Sequence, residues 1–92
     1  MLRITKIFED NETVTLRLDG RLDQASMAEL EENVREHRNG NSRSITLDFA
    51  GLLFVDDAGV ELLRRVKDRR TRIINCSLFV KALISDFLEE GE

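Results

Sequence analysis

Ile45-Thr46-Leu47-Asp48-Phe49-Ala50-Gly51-Leu52-Leu53-Phe54-Val55-Asp56-Asp57-Ala58-Gly59-Val60 decides how this chain is read. A nearly continuous apolar run stops at two carboxylates, passes through Ala58-Gly59 and resumes with helical spacing. Continuous apolar character marks a strand buried on both faces, and the change of period marks the start of a helix. A buried strand therefore delivers a loop to a helix start, where unpaired N–H groups and the positive end of the dipole gather. Such places commonly carry function.

Upstream, Leu2 to Phe8 alternates, with Leu2, Ile4, Lys6 and Phe8 against Arg3, Thr5 and Ile7. Glu9-Asp10-Asn11-Glu12 makes a polar turn, and Thr13 to Asp19 alternates again with Val14, Leu16 and Leu18 on one face. The pair predicts an antiparallel hairpin. Gly20 is expected to break the second strand. From Gln24 to about Arg38, Met27, Leu30 and Val34 recur at helical spacing, with Asp23 as N-cap and Asn39-Gly40-Asn41 as the stop. A second helix is expected from about Asp57 to Lys67, burying Val60, Leu62, Leu63 and Val66. Thr71 to Cys76 reads as a short strand centred on Ile73-Ile74. Ser77 then caps a last helix whose face is Phe79, Val80, Leu83, Ile84, Phe87 and Leu88.

The fold class is therefore α/β: a single mixed sheet of about four strands, opening with the hairpin and continuing as parallel strand–helix–strand units, with helices packed on it. At 92 residues, with 41% hydrophobic and 35% charged, the expectation is one soluble domain over residues 1–92. A net charge of -4 offers no general reason to bind nucleic acid, and no aromatic stacking platform is evident. The longest apolar run, Phe49 to Val55, falls short of the roughly 20 residues of a membrane span, and no leader is expected. Cys76 is the sole cysteine, so no internal disulfide can form and a reducing cytoplasm is the expected location.

In that element order, Ile45 to Gly59 resembles the signature of the STAS domain, the family of sulfate transporters and bacterial anti-sigma-factor antagonists. Its pattern is a hydrophobic strand ending in Asp, then an Asp-Ser-Ser-Gly or Asp-Thr-Ala-Gly type loop opening a helix. Val14 to Asp23, with Gly20-Arg21-Leu22-Asp23, resembles the family's second strand and its Gly-x-Leu-Asp turn. The resemblance covers nearly the whole chain. In the antagonist branch the second Ser is phosphorylated by a kinase that is also the anti-sigma factor. Ala58 stands at that position and has no hydroxyl, so the resemblance implies binding without that switch. Asp57 stands where the lipid-transport branch has Thr.

Asp57 fits two roles, a fixed negative charge that selects a partner and a helix cap. The cap requires nothing outside the chain and is favoured as its main role. Asp56 is expected to hold the loop through backbone hydrogen bonds. No third ligand, Lys or His is placed near the two carboxylates, which disfavours metal or acid–base chemistry. Glu9-Asp10 and Asp56 imitate a phospho-receiver's acidic pocket, but the chain is too short for that fold and its opening hairpin contradicts it. Gly59 is expected to permit close helix–sheet approach or an unusual loop conformation, and no phosphate-loop spacing exists. Alternation cannot bury Leu52, Leu53 and Phe54 equally, leaving either a partner-binding lip or core beneath the second helix.

Arg64-Arg65-Val66-Lys67-Asp68-Arg69-Arg70-Thr71-Arg72 carries six cations. It fits an acidic or phosphate-bearing partner, but the commoner role is to satisfy a helix C-terminus and keep a turn soluble. His37 is expected in solvent, and Cys76 as a small buried filler. The last helix is expected to dock on the sheet, with width to spare for a partner helix.

The functional expectation is a bacterial, cytoplasmic, non-enzymatic signalling module of the anti-sigma-factor-antagonist kind, a transcription regulator working through protein–protein contact. Its expected partner-binding residues are Leu53, Phe54, Asp56, Asp57, Ala58, Gly59, Glu61 and Arg64, with no cofactor and no metal. The resemblance implies an anti-sigma kinase-like ATPase as partner. The alternative is an accessory STAS subunit on the ATPase subunit of a membrane lipid-type ABC transporter; neither reading involves nucleic acid or direct membrane insertion.

Overall fold

The computed structural model describes residues 2–38, 43–66 and 70–84. Strands β1 (Leu2–Glu9), β2 (Thr13–Leu22), β3 (Ser44–Val55) and β4 (Thr71–Ile74) form one sheet in that order. β1 pairs antiparallel with β2, whereas β2–β3 and β3–β4 are parallel. A 3₁₀ turn (Gln24–Ser26) leads into α1 (Met27–Arg38); α2 (Asp57–Val66) and α3 (Leu78–Leu83) follow β3 and β4. The expected class, a four-strand mixed sheet with helices, is what the chain adopts.

The core follows from the period of the strands. Val14, Leu16, Leu18 and Leu22 of β2 are buried beside Ile45, Leu47, Phe49, Leu52 and Val55 of β3. Leu2 of β1, Leu30 and Val34 of α1, Leu62 and Leu63 of α2, and Val80 and Ile84 complete it. Val60 and Val66, expected inside, are half-buried because they flank the Leu62–Leu63 stripe that faces the sheet. Leu30 and Leu63 alone illustrate the scale: each fully buried leucine contributes about 1.5–3 kcal/mol.

Bulges account for most departures from the sequence expectation. The β1–β2 register shifts between Lys6 and Phe8, so the face reverses and both Ile7 and Phe8 are 51% exposed. Gly20 does not end β2. At φ 106°, a value open to glycine, it lets the strand bend and continue, with Arg21 opposite Phe54 and Leu22 opposite Val55. β4 stops at Ile74 rather than Cys76, where Asn75 turns left-handed at φ 57°.

The caps are local and legible. The Asp23 carboxylate accepts from the Ser26 N–H at 3.2 Å, and the Ser77 hydroxyl accepts from the Val80 N–H at 3.1 Å. On α3, only Val80 among the helical residues is buried. Phe79 is 58% exposed, since a helix this short can seat one narrow stripe rather than the wide face expected. Phe87, Leu88, Lys67 and the Asn39-Gly40-Asn41 stop lie outside the described residues. His37 is half-buried rather than solvated, because it sits three residues beyond Val34 at the edge of the apolar stripe. Cys76 is half-buried against the core, and burial pushes its thiol pKa up, consistent with a filler.

The hairpin end is held by charge. Glu9 accepts from the Lys6 ammonium at 2.7 Å and from the Arg43 guanidinium at 2.6 Å. Lys6 first, then Arg43, holds its carboxyl at about 2 instead of 4.5. A carboxyl lowered in the folded state stabilises above its unfolded pKa, and that contribution disappears as pH falls towards the folded value. Acid unfolding of the wild type is therefore expected to steepen between pH 4.5 and about 2, with a shallower slope in Glu9→Gln. Urea midpoints at several pH values measure this, and equal slopes in both proteins would refute it.

Candidate docking site at the end of β3

Two strand ends build this site. Leu22 and Val55, paired and buried at the C-terminal ends of β2 and β3, set the platform beneath the loop. Asp56 then ties the loop down. Its Oδ1 accepts from the Gly59 N–H at 2.8 Å, and its Oδ2 accepts from the Gln24 N–H at 3.2 Å. Its own N–H donates to the Leu22 carbonyl at 3.1 Å, and its carbonyl accepts from Val60 N–H at 2.9 Å. One residue thereby locks the start of α2 to the turn that opens α1.

The cap of α2 thus falls on Asp56, one residue before Asp57, where the sequence reading placed it. Both are aspartates, but Asp56 alone reaches the orphan N–H of Gly59. Asp57 is exposed in the first turn, where its charge faces the positive end of the helix. Ala58 is half-buried. Gly59 is buried and has no side chain to offer a partner; it acts from beneath the loop. A Cβ there would lie 2.6 Å from the Leu22 carbonyl oxygen and 2.8 Å from Val55 Cγ1. Close approach, rather than an unusual backbone angle, is the reason for glycine.

Along the lip, Leu52 is buried and Leu53 is 71% exposed, because Leu53 is the extra β3 residue where the register shifts between the Gly20–Leu52 and Arg21–Phe54 pairs. Phe54 is half-buried. The Arg21 guanidinium carbon sits 4.8 Å from its ring centroid, and the Phe79 ring centroid lies 6.3 Å away at a 32° tilt. Glu61 and Arg64 are exposed on α2 with their charged groups 3.9 Å apart. The structure thus gathers Leu53, Phe54, Asp56, Asp57 and Ala58 at one strand–helix junction, with Glu61 and Arg64 on the helix that follows. Arg21 and Phe79 were missed by the sequence reading. Arg21 had a signal, since it falls on the same face as Phe54 once β2 is carried past Gly20; Phe79 had none.

Behind the junction, Asp48 is buried, accepting from the Asn75 side-chain amide at 3.0 Å and from Ala50 N–H at 2.9 Å. The Asn75 bond, then the Ala50 bond, keep its carboxyl below the ordinary range against the opposing effect of burial. It braces the β3 bulge and the end of β4. Among the described residues no three His, Cys, Asp or Glu side chains converge in a way that could hold a metal ion. None of the described helices is long and apolar enough to cross a membrane.

A mixed sheet in which a parallel strand feeds a tied loop and then a helix start defines a class of small α/β domain. The chain belongs to the STAS-domain family: the family described as "Mlab, STAS domain" matches residues 6–85. Its fold is similar to the structure of the anti-sigma factor antagonist SpoIIAA in its unphosphorylated form, with TM-score 0.69 and 23% identity over 90% of this chain and 82% of that one. It is also similar to the crystal structure of Mglu, with TM-score 0.63 and 19% identity over 78% of this chain. The match spans only 19% of the Mglu chain. No curated protein matches the sequence.

Proposed function

We propose that this chain is a non-enzymatic, cytoplasmic regulatory module that docks a protein partner at the end of β3. The docking residues are Leu53, Phe54, Asp57, Ala58, Glu61 and Arg64, with Asp56 and Gly59 holding the loop in shape. One observation carries the reading. Leu53 is 71% exposed beside buried Leu52, and the next residue, half-buried Phe54, holds Phe79 and Arg21 against its ring. Apolar groups held outward by a rigid strand, rimmed by charge, are the usual make-up of a binding surface. The similarity in fold to an anti-sigma factor antagonist supports a partner of the anti-sigma factor kind, and the proposed partner is an anti-sigma kinase-like ATPase.

Residue 58 carries a methyl where a phosphorylatable hydroxyl would sit, so binding here is constitutive rather than switched by a kinase. Asp57 supplies a charge that cannot be removed. The second reading is an accessory subunit on the ATPase of a lipid-type transporter. It is favoured by the "Mlab, STAS domain" match and by Asp56-Asp57-Ala58-Gly59, which differs from Asp-Thr-Ala-Gly at one position.

The test is titration of purified candidate anti-sigma kinases and transporter ATPases against wild type, Leu53→Glu and Ala58→Glu. Each variant is expected to weaken the cognate complex at least tenfold, about the loss of one interface hot spot. With ATP present, mass spectrometry is expected to find no phosphate on residues 56–59. Undiminished binding by correctly folded variants would remove the docking face, and stoichiometric phosphate on the loop would remove the constitutive reading.

A further inference from the structure

The opposite end of the parallel strands has chemistry that the docking loop does not use. A cavity of about 280 Å³ is lined by Thr13, Ser44, Thr46, Arg70 and Arg72. Register explains why these five meet. Thr13 is paired with Ser44, Thr46 lies two residues along β3, and Arg72 is paired with Thr46. Arg70 lies two residues before Arg72, so the two-residue period puts all five on one face of the sheet. Their neighbours on the other face, Val14, Ile45 and Thr71, are buried.

The lining holds two guanidinium groups, three hydroxyls and no carboxylate. Guanidinium forks and hydroxyl donors together suit the oxygens of a phosphate-class anion. Two arginines of the six-cation run, whose commoner role is to finish a helix, thus belong to the lining of one cavity.

The geometry points to a binding site for a small phosphate-class oxyanion, inorganic phosphate or the headgroup of a phosphate monoester, in this groove. Arg72 carries the test, since it is exposed and Arg70 already has a partner within the chain. The experiment titrates inorganic phosphate, and separately phenyl phosphate, into the full chain at constant ionic strength set with sodium chloride. Amide chemical shifts are the readout.

Saturable shifts are expected at residues 13, 44, 46 and 72, with dissociation constants in the millimolar range or below and no shift at the Asp56–Gly59 loop. Arg72→Gln is expected to weaken binding about tenfold or more, the usual scale for losing a charge-assisted contact, while its melting temperature without phosphate stays that of the wild type. Tighter binding of phenyl phosphate assigns the monoester headgroup, and tighter binding of the free ion assigns phosphate itself. Shifts that never saturate, saturation at the α2 start instead, or equal affinity in Arg72→Gln would each overturn the site. Partner docking at the far end of β3 is independent of this result, so the two readings fail separately.

Discussion

Phe49→Ala is expected to lower folding stability by about 3–5 kcal/mol, the cost of emptying a large aromatic site in a core that cannot fully close around it. Phe49 is among the largest fully buried side chains and lies on β3 between buried Leu47 and Leu52. It also sits where the β2–β3 register shifts, between the Asp48–Arg17 and Gly51–Asp19 pairs. Stability for a small domain totals only about 5–15 kcal/mol, so this single change brings the chain close to its unfolding threshold. Urea denaturation measures it as a large drop in midpoint with an unchanged slope. A loss below about 1 kcal/mol would mean that the ring is not packed as described.

Gly59→Ala is the second large effect, and its sign reverses the usual helix rule. Inside a helix alanine is ordinarily better than glycine by about 1 kcal/mol. At this position the new methyl would lie 2.6 Å from the Leu22 carbonyl oxygen and 2.8 Å from Val55 Cγ1. The carbonyl is backbone, and it already accepts the Asp56 N–H, so relieving the clash disturbs the bond that anchors the loop. Net destabilisation of about 1–3 kcal/mol is expected, with Gly59→Val worse. Gly51→Ala is the control. There the added methyl meets the Asp19 carboxylate, a side chain able to swing away at the expense of its exposed pairing with Arg17. Thermal melts that rank Gly59→Ala at or above wild type would show that α2 does not approach the sheet this closely.

Much of the architecture was legible because it is written at short range. The alternation of Val14, Leu16 and Leu18 is a backbone period, and Asp23 and Ser77 are recognisable caps because a cap needs one oxygen at a fixed offset from one N–H. The bulges at Ile7 and beyond Asp48 were not legible. An inserted residue changes which face every later side chain takes, yet leaves no mark in residue type. The choice between Asp56 and Asp57 was closed to sequence for a related reason. Both carry the right group, and only the folded chain shows Asp56 reaching the Gly59 N–H with one oxygen while the other accepts from the Gln24 N–H, 32 residues away.

By itself the sequence determined where strands and helices begin, that the opening pair runs antiparallel, and that the loop has Ala58 with no hydroxyl to modify. Those features depend on the few residues on either side of each position. The tertiary structure alone decided that Leu53 and Phe79 stay outside while Leu52 and Val80 go in, and that Arg21 lies over Phe54. It alone brought Arg70 and Arg72 beside Thr13, Ser44 and Thr46. Exposure and convergence are properties of the surfaces left uncovered once distant strands have paired, and no local period encodes them.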